Sequence, residues 1–147
     1  MSTRRDLADG LARAAYSLSA ADARLRGRAT REPGAISLTH ARALKSLAEN
    51  GPMTVGALAQ RVETTGAAVT QLVTGLSRAG LVTRNRAQSG DRRVATVELT
   101  PAGLERHQTR EKHLRRSMKE LTADLDAAQV EAATTVILRL AALYDTL

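Results

Sequence analysis

Residues 65–79 (TGAAVTQLVTGLSRA) constrain the fold more than any other stretch of the chain. Apolar residues recur there at i, i+3, i+4 and i+7, so a helix over this segment has one apolar face, formed by Val69, Leu72, Val73 and Leu76. The opposite face begins with small residues and continues with Thr and Gln, a composition that suits close approach to base edges in a DNA major groove. We therefore predict a recognition helix with these candidate DNA contacts: Thr65, Gly66, Ala67, Ala68, Thr70, Gln71, Thr74 and Arg78.

The flanking segments predict a winged helix-turn-helix around this helix. A shorter amphipathic run, residues 55–61, precedes it with Thr54 as the candidate N-cap, and three residues separate the two helices. That spacing is typical of a helix-turn-helix. Gly80 is expected to end the second helix, and two alternating stretches, 81–86 and 92–99, then predict a β-hairpin, the wing.

The predicted wing is rich in arginine. Between Arg78 and Arg93 the chain carries five Arg against the single Asp91. Clustered Arg favours contact with polyphosphate, although a basic loop that serves only solubility is the alternative. We expect Asp91 to orient a neighbouring Arg through a charge-assisted hydrogen bond. The candidate DNA contacts of the wing are Arg84, Arg86, Asp91, Arg92 and Arg93.

Helices are predicted on both sides of this region. Residues 3–28 carry apolar residues at alternating spacings of four and three, the period of helices that wrap around each other. Thr39 is expected to cap the next helix, Thr100 a long helix that begins at Pro101, and Asp126, in a capping box, the last helix. Packing between subunits is favoured over packing within one chain, and the candidate dimerisation residues are Leu7, Leu11, Leu18, Leu25, Val130, Ile137 and Tyr144.

The sequence resembles the MarR family of transcriptional regulators. The resemblance covers nearly the whole chain, and the matching segments are LTHARALKSLAE (38–49), the GP-x-T break (51–54), LAQRV (58–62), VTQLVTGLSRAGLVTR (69–84) and GDRRVATVELTPAG (90–103), with a flanking helix at each end. Its most specific part is the recognition helix followed at fixed distance by Gly-Leu-Val, then Asp-Arg-Arg, then Leu-Thr-x-x-Gly. The chain departs from the family pattern at Glu63, where Gly is frequent, and at Gly75, where a polar helix former is usual. The resemblance implies a mainly α fold with a small β-hairpin wing in one domain, 1–147. Residues 37–99 would bind DNA, and 1–30 and 101–147 would form the dimerisation helices.

The implied function is that of a dimeric, sequence-specific DNA-binding regulator, a repressor that a small ligand releases from a pseudo-palindromic operator in double-stranded DNA. Two-fold symmetry would place the recognition helices about 34 Å apart. Relatives commonly bind aromatic acids between the first helix and the DNA-reading region. Tyr16 is therefore the candidate contact for a small aromatic effector, with ordinary packing as the alternative.

Other classes of function find less support in the residues. The three His do not share a helix face, Cys is absent, and no phosphate loop or nucleophile motif occurs, so we expect no enzyme activity, metal or cofactor. With no apolar run of 18 residues and no signal-peptide pattern, we expect a cytoplasmic protein without a membrane partner. The remaining alternatives are a winged-helix module that binds proteins instead of DNA, and a small-molecule binding protein.

Overall fold

A computed structural model describes residues 1–29, 36–62, 65–86 and 95–147, with side chains described up to residue 25 in the first of these ranges. The described residues form a mainly helical chain with a small antiparallel sheet, which confirms the predicted fold class. The elements in chain order are α1 (Arg4–Ala29), α2 (Leu38–Asn50), β1 (Met53–Thr54), α3 (Val55–Val62), α4 (Gly66–Arg78), β2 (Val82–Arg86), β3 (Ala95–Leu99), α5 (Pro101–Leu121) and α6 (Ala127–Tyr144).

The chain divides into two compact units. One unit consists of residues 26–113 and contains the helix-turn-helix and the sheet. The other combines residues 1–25 with 114–147, which include most of α1, the second part of α5 and all of α6.

The core of the unit 26–113 is built from aliphatic side chains of α2, α3, α4 and the sheet. The predicted apolar face of α4 lies in this core, where Val69 and Val73 are completely buried and Leu72 and Leu76 nearly so. Leu58, Ala59 and Val62 of α3 are buried in the same cluster, as their spacing predicts. Since one face of α4 is fixed by this apolar packing, its opposite face is left at the surface.

Side-chain oxygens determine where several helices begin. Thr65 accepts a hydrogen bond from the backbone N–H of Ala68 at 3.2 Å, and Thr54 caps α3 by accepting from the N–H of Ala57 at 3.1 Å. The prediction that Thr39 caps α2 is wrong. The cap is Ser37, whose hydroxyl accepts from the N–H of His40 at 3.2 Å, and Thr39 lies inside the first turn.

The sheet has three strands in the order β1-β3-β2, all antiparallel. The two strands of the predicted hairpin are confirmed, with Arg84 paired to Val97 and Arg86 to Ala95. The prediction omitted β1, which pairs Met53 with Val97. Three segments lie outside the described residues: 30–35, Glu63 with Thr64 between α3 and α4, and 87–94, the predicted tip of the wing (the wing tip), with Asp91, Arg92 and Arg93.

Hydrogen bonds connect the start of α5 with the residues that follow α4. The Thr100 N–H donates to the carbonyl of Leu81 at 3.1 Å, and the Thr100 hydroxyl donates to the carbonyl of Gly80 at 2.6 Å. That hydroxyl also accepts from the N–H of Gly103 at 3.0 Å, which confirms Thr100 as the N-cap. Gly103 is buried so close to Leu81 that a Cβ there would lie 2.0 Å from the Leu81 carbonyl oxygen. The Leu-Thr-x-x-Gly segment therefore fixes α5 against the helix-turn-helix.

In the unit of residues 1–25 and 114–147, most of the predicted dimerisation residues are exposed. Leu7, Leu11, Leu18 and Leu25 are 42–65% exposed, Ile137 and Tyr144 about half exposed, and Val130 half-buried. The capping box of Asp126 and Gln129 at the start of α6 is confirmed. Among the helices that the structure describes, none combines the length and the apolar character needed to cross a membrane.

Candidate nucleic-acid interface

The outer surface of α4 is free of acidic residues and small at its start. Residues 65–68 are exposed, as are Thr70, Gln71 and Arg78, whereas Thr74 is half-buried. The unpaired backbone N–H groups of the first turn and the helix dipole favour a negative group at this end. A small, uncharged and polar helix start can therefore approach both phosphates and base edges closely.

Two threonines on this surface bond to their own helix. The Thr70 hydroxyl donates to the carbonyl of Gly66 at 3.0 Å, and the Thr74 hydroxyl donates to the carbonyl of Thr70 at 2.9 Å. Their oxygens keep lone pairs and can act as acceptors. The Gln71 amide, by contrast, has no hydrogen-bond partner among the described residues. Its donor and its acceptor are both available to a base edge.

Strand β2 carries two exposed arginines beside α4. Arg84 and Arg86 lie on the sheet face that also carries the buried Val82 and Val97. The Arg84 Nη2 lies 3.2 Å from the Thr70 carbonyl oxygen and 3.2 Å from the Thr74 Oγ1. Sequence reasoning missed these contacts, because a pattern along the chain gives no distance between a strand and a helix.

Arg78 and Arg86 differ from Arg84 in their surroundings. Within the part of the chain that the structure describes, neither guanidinium has a hydrogen-bond or ion-pair partner. The carboxylate of Glu98 lies on the other face of the sheet, where it accepts from the Asn85 amide at 2.8 Å. The arginines of β2 therefore share their face of the two paired strands with no acidic residue, which is the electrostatic arrangement that attracts a phosphate backbone.

A pocket of about 290 Å³ lies behind α4. Its lining residues come from the beginning of α2 and the residue before it, from the last turn of α4 and the residues after it, and from α5: Ile36, His40, Gly75, Leu76, Ala79, Leu81 and Arg106. His40 is half-buried, its Nδ1 lies 2.6 Å from the Ser37 hydroxyl, and burial lowers its pKa. A Cβ at Gly75 would lie 3.4 Å from the His40 Nε2. The unusual Gly75 thus lies against His40. Sequence reasoning missed this pocket, and the small residue at position 75 is the signal that could have indicated it.

Tyr16 lies on α1, where its side chain is 77% exposed, and it is not among the residues that line this pocket. Its role as a ligand contact stays a prediction. Across the described ranges, no group of three His, Asp or Glu side chains is arranged to hold a metal ion.

The helix-turn-helix, the strands beside it and the exposed, acid-free face of α4 define a winged helix of the DNA-binding class. The sequence model of the MarR family matches residues 36–93, from the start of α2 into the wing. The winged helix of this chain is therefore similar to that of the MarR family of transcriptional regulators.

Solved structures extend the fold to the full length. A MarR family protein from Bacillus stearothermophilus has a TM-score of 0.71 and 21% identity, over 99% of both chains. The PcaV transcriptional regulator from Streptomyces coelicolor also has a TM-score of 0.71 and 21% identity, over 92% of this chain and 98% of its own. The transcriptional regulator BldR from Sulfolobus solfataricus has 26% identity and a TM-score of 0.63, over 94% and 99%. No curated protein sequence matches the chain significantly.

Proposed function

We propose that the protein is a homodimeric, sequence-specific repressor that reads a pseudo-palindromic DNA operator with α4 and is released by a small aromatic ligand. The observation that carries this proposal is the exposed, uncharged start of α4 next to the arginines of β2. A helix that enters the major groove needs such a surface, because bulky or acidic side chains would keep it away from the bases and phosphates.

In this proposal the residues divide between reading and binding. Gln71 reads a base, since its amide can donate to and accept from adenine together and has no competing partner among the described residues. Residues 65–68 allow the close approach. Arg78 and Arg86 bind phosphates, together with Arg92 and Arg93 of the wing tip, and these contacts supply affinity without regard to sequence.

The exposed leucines of α1 support the dimer. Complete burial of a Leu side chain contributes about 1.5–3 kcal/mol, so covering four leucines that are each roughly half exposed would contribute several kcal/mol per subunit. Rows of this kind on α1 and α6 are typical of surfaces that pack against a second copy. A two-fold axis would then set the spacing of two α4 helices to about one turn of DNA, ~34 Å.

The pocket behind α4 supports release by a ligand. Its volume lies at the lower end of the range of small-molecule sites, roughly 300–1,000 Å³, and it combines apolar walls with His40 and Arg106, which suits an aromatic carboxylate. A ligand in it would touch Gly75 and Leu76 in the last turn of α4 and Ala79 at its C-cap. Binding could therefore change the position of the reading helix and lower its affinity for DNA.

The test begins with selection of duplexes by the purified protein from a random-sequence library. We expect enrichment of an inverted repeat whose half-sites are about 10 base pairs apart, bound by a dimer in sedimentation. Affinity should fall with salt, and one or more aromatic carboxylic acids should release the DNA. Absence of any enriched sequence would contradict the proposal, and a salt-insensitive complex with another protein would favour an interaction module instead.

A further inference from the structure

The guanidinium of Arg84 joins the first strand of the wing to the middle of the recognition helix. Its Nη2 lies 3.2 Å from both the Thr70 carbonyl oxygen and the Thr74 Oγ1. Because this nitrogen carries two hydrogens, it can donate to both acceptors. Among the described residues, these are the side-chain hydrogen bonds that connect α4 with the two strands of the hairpin.

The acceptors on α4 are arranged to receive this donor. The Thr74 hydroxyl directs its hydrogen to the Thr70 carbonyl at 2.9 Å, so a lone pair is left to accept from Arg84. Thr70 and Thr74 are one helical turn apart, and the link therefore restrains the rotation of α4 about its axis as well as its distance from β2. Gln71 follows Thr70 directly, so the restraint acts where the proposed base contact is made.

Arg84 and Arg86 lie on one face of β2 but have different environments. Arg84 is opposite the buried Val97 and contacts α4, whereas Arg86 is opposite Ala95 and has no partner within the described residues. Both residues carry the same charge and differ by two positions in one strand. The chain thus provides a matched pair, one arginine attached to the recognition helix and one available to phosphate.

We infer that Arg84 is a positioning residue that sets the orientation of α4 relative to the wing, and so controls discrimination between base sequences rather than contact with a phosphate. This inference rests on the proposed function, since it assumes that α4 reads bases. Loss of the link leaves the apolar packing of α4 to restrain the helix, so that the whole helix can rotate slightly about its axis and displace Gln71 relative to the bases. Hydrogen bonds to base edges weaken steeply when distance or angle departs from the optimum, so the selected sequence loses its advantage.

The experiment compares Arg84→Ala, Thr74→Val, their double variant and the control Arg86→Ala. Each protein is titrated with the duplex that the wild-type chain selects and with a scrambled duplex, over a range of NaCl concentrations. Arg84→Ala should lower the ratio of the two affinities about tenfold, within the range for loss of one base contact, with the salt slope unchanged. Thr74→Val should have the same effect, and the double variant should be no worse than either single one. Arg86→Ala should weaken both duplexes equally and reduce the slope by about one.

Two results would overturn the inference. Equal loss on both duplexes with a slope reduced by about one would make Arg84 a phosphate contact like Arg86. Multiplicative effects in the double variant would mean that Arg84 and Thr74 act separately.

Hydrogen exchange of the DNA-free protein tests the link between Arg84 and α4 independently of DNA binding. Amides of α4 should exchange at least about threefold faster in Arg84→Ala and Thr74→Val, but not in Arg86→Ala. Unchanged exchange in Arg84→Ala would overturn the link. Failure of the wild-type chain to select any sequence would overturn the proposed function and the discriminating role with it, whatever the exchange rates show.

Discussion

Replacement of Gly103 by Ala tests how α5 is attached to the winged helix. The added Cβ would lie 2.0 Å from the Leu81 carbonyl oxygen and 3.1 Å from the Leu99 Cδ2. The first distance is shorter than an ordinary contact by more than about 1 Å, and a backbone carbonyl cannot rotate away as a side chain can. The start of α5 must therefore move away from Leu81 and from Leu99 of β3.

The cost can be worked out from the groups that move. Overpacking of a tight contact costs about 1–3 kcal/mol, and each weakened hydrogen bond of Thr100 with Gly80 or Leu81 adds about 0.5–1.5 kcal/mol. The higher helix propensity of Ala offsets about 0.5–1 kcal/mol of this loss of stability. We expect Gly103→Ala to lower the free energy of unfolding by about 2–4 kcal/mol.

Gly75→Ala is the matched control, because it adds the same methyl group to a helix interior. Its Cβ would meet only the His40 Nε2, at 3.4 Å, so this variant should be neutral or up to about 1 kcal/mol more stable. The assay is urea denaturation followed by circular dichroism, at equal protomer concentrations because dimerisation contributes to stability. Equal stability of the Gly103 and Gly75 variants would refute the packing argument.

Three further predictions concern the dimer, the wing and pH. Replacing Leu11 and Leu18 by Glu should bury unpaired charges between subunits and give monomer or unfolded chain in sedimentation, and an unchanged dimer would contradict the proposed seam. Arg92→Ala should weaken binding to selected and random DNA alike and reduce the slope of log affinity against log salt concentration by about one. Asp91→Ala should also weaken binding, because it misplaces an Arg, and tighter binding by this variant would refute the orienting role. Burial lowers the pKa of His40, so the unfolded chain takes up a proton at this residue more readily than the folded one. The free energy of unfolding should therefore fall as the pH decreases below the usual pKa of His, and His40→Asn should make this dependence shallower. An identical pH profile of the variant would contradict this prediction.

The sequence was most informative where local signals agree. Helix α4 was predictable because its apolar period and Gly80 indicate its limits, and Gly80 does take a positive φ of 74° one residue after the cap residue Ala79. The hairpin strands followed from alternation, and the start of α5 from Thr100 and Pro101. The family resemblance agreed with these patterns and supplied the order of the elements.

Other features depend on contacts between distant parts of the chain. Strand β1 has only two residues, too few to show the alternation of a strand in the sequence. It forms because Met53 pairs with Val97 of β3. Ser37 and Thr39 were both chemically able to cap α2, and the path of the chain before the helix decides between them. The contact of Arg84 with Thr70 and Thr74 joins residues 14 and 10 positions apart, so no pattern along the sequence could reveal it.

The most direct test of the central claim, that α4 reads bases through its exposed face, compares Gln71→Ala with Val73→Ala. Each variant is titrated at one fixed salt concentration with the selected duplex and a scrambled duplex. Gln71→Ala should lose about 1–3 kcal/mol of binding free energy on the selected duplex and much less on the scrambled one. Val73 is buried, so Val73→Ala should reduce stability by about 1–3 kcal/mol while the folded protein keeps its discrimination. Equal losses of Gln71→Ala on both duplexes would contradict the claim for Gln71, place its contact on the DNA backbone and leave residues 65–68 as the base-reading part of α4.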